Sequence, residues 1–508
     1  MFKKTKIAAA TVALLSVAAV QNASAVAIDE SGQNAQVLVF PYYNTNNGFQ
    51  SAYNIRNTTN QTKAVKVRIR ESKLSNDVLD FNVYMSPQDH FSFTLAPNTT
   101  GQAVISTNDT TCTFPAIPAA GQVLKGTVYT NTTDADTREG YVEVIEMGVV
   151  TETTVISGVK HASGTPANCG AVKTAWTTGL FTEGGANSIV GGVNDTTNPP
   201  KGIKAPGGGL SGWSFLLDVN KGNANVAMPV AIRNYQTTIG QHYLSSNYHT
   251  FLLPSLASGN VLDSTVMNNA GLASITTPFG PTADYVLTPA GKAEVALANG
   301  SINVPDSSGI NAYPIAHVLA ATAITNDYLV TSLTTPDAAG TDWVITFPMR
   351  KHGIFSSTQT SNIVSPTTGI ASVIINANST ATDIKMGGAF YNREEAQNVI
   401  TGGDEFSPVS TSPVDILPRE VNILSFGLKG GTTASRVLNS SYTKNYGVDY
   451  MNGWGTILLD ASATNDTASF AKIKGVPVIG FAAIRGNYAA EATSVIGESI
   501  PHTFTRNR

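Results

Sequence analysis

AVKVRIR, residues Ala64 to Arg70, alternates apolar and cationic side chains without a break. Successive side chains of a strand leave opposite faces, so a period of two marks a β-strand with one covered face. Val65, Val67 and Ile69 are therefore expected on a core, and Lys66, Arg68 and Arg70 in solvent. Working outward, Ala35 to Phe40 is an apolar run closed by Pro41, and Gln50 to Arg56 ends at the turn residues Asn57 to Asn60. Val78 to Tyr84, Phe91 to Leu95, Gln102 to Ser106 and Gly140 to Met147 continue the series, separated by turn residues at the spacing of a β-sandwich. The chain is expected to be mainly β, with residues 27–155 forming an immunoglobulin-like sandwich.

Residues 156–194 read as a helical connector, because Val172, Trp176 and Leu180 recur four apart between Cys169 and Phe181. The Asn-, Thr-, Pro- and Gly-rich segment from Gly191 to Gly209 reads as a loop. Residues 195–508 are expected to form a second β-rich domain, either one unit or two joined units. Its clearest strands are Trp343 to Pro348, Ser372 to Ile375, Val421 to Phe426, Thr456 to Leu459 and Val476 to Phe481, β-branched and aromatic runs bounded by Gly, Pro and Asn. A helix is expected over Tyr313 to Asn326, where Ala, Leu, Ile and Val dominate. No fixed-period repeat is visible.

The first twenty-five residues carry an address. Lys3, Lys4 and Lys6 precede the apolar run Ile7 to Val20, and Ala23-Ser24-Ala25 supplies an A-x-A cleavage site. That is the pattern of a secretory signal, with the mature chain beginning near Val26. The apolar run is too short for a bilayer of roughly 30 Å, so no transmembrane segment is expected. The leader places the protein outside the cytoplasm, at the cell surface, released, or in a periplasm. The formal net charge is −4, and loss of the three leader lysines makes it more negative. With no basic block to meet phosphates, nucleic acid is excluded as a partner. Charged residues make up 13% of the chain, about half the usual share, so neutral hydroxyls and amides must hydrate much of the surface.

Cys112 and Cys169 are the only cysteines. In an oxidising compartment one disulfide between them is the default, and two free thiols the alternative.

The stretches VLVFPYYNTNNGFQSAYNIRNTT (residues 37–59) and AVKVRIRESKLSNDVLDFNVYMSP (residues 64–87) resemble the N-terminal part of a family of uncharacterised proteobacterial secreted proteins labelled cell-surface proteins. TDWVITFP from Thr341, YNREEA from Tyr391, GWGTILLD and GVPVIGFA extend the resemblance over most of the mature chain. It implies one secreted architecture with an N-terminal immunoglobulin-like sandwich. It supplies no catalytic residues.

Motifs for chemistry are weak. Gly207 to Gly212 (GGGLSG) matches the dinucleotide fingerprint in letters, but Pro206 precedes it and a β-rich run, Trp213 to Val219, follows. A flexible connector is the expected reading. His242 and His249 lack a third zinc ligand. Ser469 to Lys472 fits S-x-x-K without its companion motifs. The acidic pairs Glu394-Glu395 and Asp404-Glu405 point to opposite faces of any strand and read as solvated loop acids. Asp134, Asp136 and Glu139 could supply oxygens to calcium, yet lack the twelve-residue loop pattern. Tyr442, Tyr446, Tyr450 and Trp454 recur four apart and are the candidate ligand-binding aromatics, with glycines among them arguing against a helical stripe.

These readings make the chain an exported, non-enzymatic cell-surface or extracellular structural protein without cofactor or metal, self-associating through strand edges. An adhesin for a surface glycan or an apolar surface is the alternative, and a secreted hydrolase a third.

Overall fold

The computed structural model describes residues 26–127, 132–177, 181, 202–235, 256, 314–330, 339–349, 384–392, 395, 397–400, 416–417, 419–428, 437–460, 476–487 and 495–506. The chain is mainly β with a few short helices, as the alternating pattern predicts. The first half contributes β1 (Ala27–Ile28), β2 (Val37–Asn44), β3 (Phe49–Asn57), β4 (Lys63–Glu71), β5 (Asp77–Met85), β6 (His90–Pro97), β7 (Ala103–Ser106), β8 (Cys112–Phe114), β9 (Gln122–Val123) and β10 (Glu139–Val150). Then come α1 (Thr153–Val159), the hairpin β11 (His161–Ala162) and β12 (Thr165–Pro166), α2 (Gly170–Thr177), β13 (Ile203–Lys204), β14 (Leu210–Asp218), β15 (Asn223–Ala227) and β16 (Val230–Arg233).

These strands form two facing sheets. Sheet I runs β1-β16-β2-β10-β4-β5-β8, with β13 also on β10, and sheet II runs β15-β14-β3-β6-β7-β9. The sandwich therefore does not stop at residue 155. Strands β13 to β16, from the stretch assigned to a second domain, return to complete both sheets, because β14 pairs with β3 along its whole length and β16 with β2. Pro41 does not end its strand either. β2 runs on to Asn44, and Pro41 sits where the register with β10 shifts between Gly140 and Val142, a bulge that tolerates a missing N–H.

The largest departure concerns AVKVRIR. Val65, Val67 and Ile69 face the core as expected, but Lys66, Arg68 and Arg70 are buried as completely as the valines. Each meets a carboxylate on a neighbouring strand: Lys66 Nζ to Asp80 at 3.0 Å, Arg68 Nε to Asp77 at 2.9 Å, Arg70 Nε to Glu143 at 3.0 Å. Lys63 adds a fourth pair with Glu146 at 2.8 Å. Alternation reports the period of a strand and is silent about what lies over its second face. Burial pushes the Asp80 carboxyl up to about 7 against the pull of Lys66, whose own ammonium burial pushes down.

The connector helices cover the other end of that face. α1 and α2 pack Val155, Val159, Val172 and Trp176 onto Tyr84 and Met147 in a separate apolar cluster. Trp176 Nε1 donates to Tyr84 Oη at 2.8 Å. The Cys112–Cys169 disulfide joins β8 to the residue before α2. α2 spans eight residues, within the stretch expected to be helical.

The second half contributes α3 (Pro314–Leu319), β17 (Ala320–Ala321), β18 (Ala323–Leu329), β19 (Gly340–Thr346), β20 (Ile384–Asn392), β21 (Gln397–Ile400), β22 (Ile416–Leu417), β23 (Val421–Leu428), β24 (Thr443–Val448), β25 (Asn452–Asp460), β26 (Val476–Pro477), β27 (Ile479–Asn487), β28 (Val495–Pro501) and β29 (Thr503–Thr505). The helix expected over Tyr313 to Asn326 is cut to six residues. Pro314 starts it, and Ile324, Thr325 and Tyr328 then join β18 between β25 and β29. Sheet III runs β24-β23-β19-β27-β28, with β23 and β24 parallel, and sheet IV runs β21-β20-β25-β18-β29, with β22 on β20.

The central strands of sheet III, β19, β23 and β27, are buried on both faces. Val344, Ile423 and Phe481 join one core with the facing sides of sheets I and II, while Trp343, Leu424 and Phe426 join a second core with Phe390, Ile457 and Tyr328 of sheet IV. That explains the near-continuous apolar runs of β19, β23 and β27.

His502 is sealed inside this half. Its Nε2 donates to Val344 O at 3.0 Å and its Nδ1 accepts from Asn326 Nδ2 at 2.8 Å, so the neutral ring is satisfied and a second proton would face a donor. Burial holds its pKa down to about 3. Because the folded value lies below the ordinary 6.5, this stability is complete above 6.5 and is lost as pH falls from there toward 3. Urea midpoints should therefore drop between about pH 7 and about pH 4, and His502→Gln should flatten that slope. An unchanged slope in the variant would assign the acid sensitivity to other groups.

Candidate functional site

Sheet IV presents one face to the second core and the other outward. On its central strand β25, Gly455, Ile457 and Leu459 point inward, and Trp454, Thr456 and Leu458 point outward. Trp454 is 43% and Leu458 50% exposed, and Met451, just ahead of the strand, 56%. Such large apolar side chains in solvent are the informative exception on a protein surface. The glycine after Trp454 has a packing cause: a Cβ at Gly455 would stand 2.0 Å from the Phe390 ring of the paired strand. Phe390 fills that space from β20, which leaves the next residue, Tyr391, on the outer face.

Tyr391 stacks on Trp454 with ring centroids 4.7 Å apart and an interplanar angle of 23°. The register continues the row from Tyr391 through Trp454 to Asp327 on β18, which is exposed. One row on, the hydroxyls of Thr325 and Thr456 meet at 2.8 Å. The outer face thus holds an aromatic pair, a carboxylate beside it and hydroxyls next to that. An aromatic ring offers an apolar body to a ligand while neighbouring acceptors take its hydroxyls.

Of the four aromatics read at a spacing of four, only Trp454 is exposed. Tyr446 is in the second core against Phe390 and Phe426. Tyr450 is half-buried in the turn between β24 and β25. Tyr442 lies under the Arg419 guanidinium, 3.5 Å from it, and burial raises its hydroxyl to about 12. The helical spacing has no helix to act on, so the stripe does not form. Tyr391 is the partner that spacing could not find, because it comes from a strand some sixty residues away.

Tyr442 belongs to the seam between the two halves. Arg419 Nη2 pairs with Asp136 at 2.8 Å and donates to Ser72 Oγ at 3.1 Å. Glu139 accepts from Tyr42 Oη at 2.7 Å, Asn46 Nδ2 at 2.6 Å, Ser440 Oγ at 2.6 Å and Ser441 N at 2.8 Å. Burial raises the Glu139 carboxyl, but four donors saturate its oxygens. It is a joint between the halves. Asp134 instead accepts from Gly126 N and Thr127 N, so Asp134, Asp136 and Glu139 are each committed to separate partners. Among the described residues no three His, Cys, Asp or Glu side chains group as metal ligands.

The glycine motif is not a loose connector. Gly207 N and Gly208 N donate to the Glu146 carboxylate at 2.9 and 2.7 Å, and Lys63 Nζ donates to Gly208 O at 2.7 Å. Gly208 has φ +75°, and a Cβ there would stand 2.7 Å from Asn34 O. The loop does cradle an anion, and that anion is the protein's own Glu146. Glu394, Asp404, Glu405, His242, His249 and Ser469 to Lys472 lie outside the described residues, as does the leader. Among the described residues no helix is long and apolar enough to cross a membrane. No family model, curated protein or solved structure matches the chain.

Proposed function

We propose that the chain is an exported, non-enzymatic cell-surface or extracellular protein that adheres to a glycan through the outer face of sheet IV. The observation that carries this reading is the exposed Trp454 stacked on Tyr391, with Asp327 and the Thr325–Thr456 hydroxyl pair beside it. The C–H face of a sugar ring covers the indole, and its hydroxyls reach the carboxylate and threonines. The leader pattern, the disulfide, the neutral polar composition and the resemblance to secreted cell-surface proteins support the location.

The test is binding of the mature protein to an array of immobilised polysaccharides, repeated with Trp454→Ala. A stacking contact worth about 1–1.5 kcal/mol makes the expected loss about tenfold, with unchanged folding. Equal binding by parent and variant would remove the reading. Turnover of a glycan or ester substrate by the purified protein would replace it with the hydrolase.

A further inference from the structure

A second apolar surface lies on the other sandwich, on a strand that is apolar on both sides. β14 turns Leu210, Gly212, Ser214 and Leu216 inward, while Trp213, Phe215 and Leu217 point outward and are half-buried. The Trp213 and Phe215 rings touch, with centroids 4.7 Å apart. The register carries the row across four strands, from Thr94 through Ala52 and Phe215 to Val226, which is 42% exposed. An antiparallel sheet with a solvated face normally puts its polar residues there.

We infer that the outer face of sheet II is where a second copy of this chain docks, face to face about a two-fold axis. Three observations favour a second copy. The chain is net negative, so two copies repel wherever charged surfaces meet, and this face carries no charge over its central rows. Charged groups lie at its margins: exposed Arg56 at one end with Asp109, which accepts from Ser92 N, Lys221 in the turn between β14 and β15, and Glu498 on β28 beside β15. The face reaches the lower bound for an interface: six strands of two to nine residues, about 3.3 Å per residue and about 4.8 Å apart, make on the order of 600 Å², the low end of one partner's share in a stable interface. A two-fold axis lets the same neutral patch meet itself, and twisted sheets pack face to face in this way.

The strand edge beside this face is a poorer route. β15 lies against β28 of sheet III, where Asn225 Nδ2 donates to Glu498 O at 2.8 Å and Gly497 approaches Asn223. Association at this end of the molecule therefore runs through the face and not by strand addition.

Sedimentation velocity of the mature protein from about 1 to about 100 µM tests this, with Phe215→Lys and, separately, Val226→Lys as variants. The parent should sediment as a dimer, and each folded variant as a monomer with the parent's circular dichroism. Val226 is already exposed, so its replacement tests the face even if Phe215→Lys fails to fold. A parent monomeric at the highest concentration would overturn the inference, as would a Val226→Lys protein that still dimerises. Dimerisation lost instead in Trp454→Ala would move the interface to sheet IV and also overturn it. Glycan binding is read separately, so either reading can fail alone.

Discussion

Replacing Arg70 by leucine should destabilise the protein by about 3–5 kcal/mol, the range for breaking a buried ion pair by removing one partner. Arg70 is fully buried, its Nε 3.0 Å and Nη2 3.4 Å from the two oxygens of Glu143, and its Nη1 donates to Ser75 O at 2.9 Å. Leucine fills much of the volume but leaves the Glu143 carboxylate buried without Arg70 and removes a donor from a buried carbonyl. Both are penalties of desolvation, which exceed the net worth of the intact contact. Arg70→Met combined with Glu143→Leu should recover most of the loss, since the pair can be replaced by packing of similar volume. Denaturant midpoints of the single and double variants, at unchanged slope, decide it. A single variant within about 1 kcal/mol of the parent would mean that water reaches Glu143.

The ladder also shows where reading by pattern stops. Val65, Val67 and Ile69 were legible because a period of two on one face needs only neighbours in sequence. The burial of Lys66, Arg68 and Arg70 depends on Asp77, Asp80 and Glu143, brought alongside by β5 and β10. The domain boundary failed for the same reason. β14 to β16 read correctly as β-rich, but their partners β3 and β2 lie more than 150 residues earlier. Near Trp454 the glycines argued correctly against a helix, and β25 then needed a period of two. With that period Trp454, Thr456 and Leu458 fall on one face, whereas Tyr391 enters only through the register of β20.

Converting both cysteines to serine, Cys112→Ser with Cys169→Ser, should lower stability by about 4 kcal/mol, because the bond closes a loop with a sequence separation of 57. The mechanism lies in the denatured chain, which regains the freedom that the bond withholds. In the native state β8 still pairs with β5, and α2 keeps Val172 and Trp176 in their cluster, so circular dichroism should not change. The denaturant slope should rise as the unlinked chain expands. Reductant should shift the parent to the variant's midpoint and leave the variant where it is, which separates loss of the bond from any effect of serine. Cys112 is buried, so serine also places a hydroxyl among Tyr84, Met147 and Val155. Alanine at both positions controls for that. If alanine and serine variants both fall by about 1 kcal/mol or less, β8 and α2 stay together in the denatured chain without the bond, and the connector is held by its apolar contacts alone.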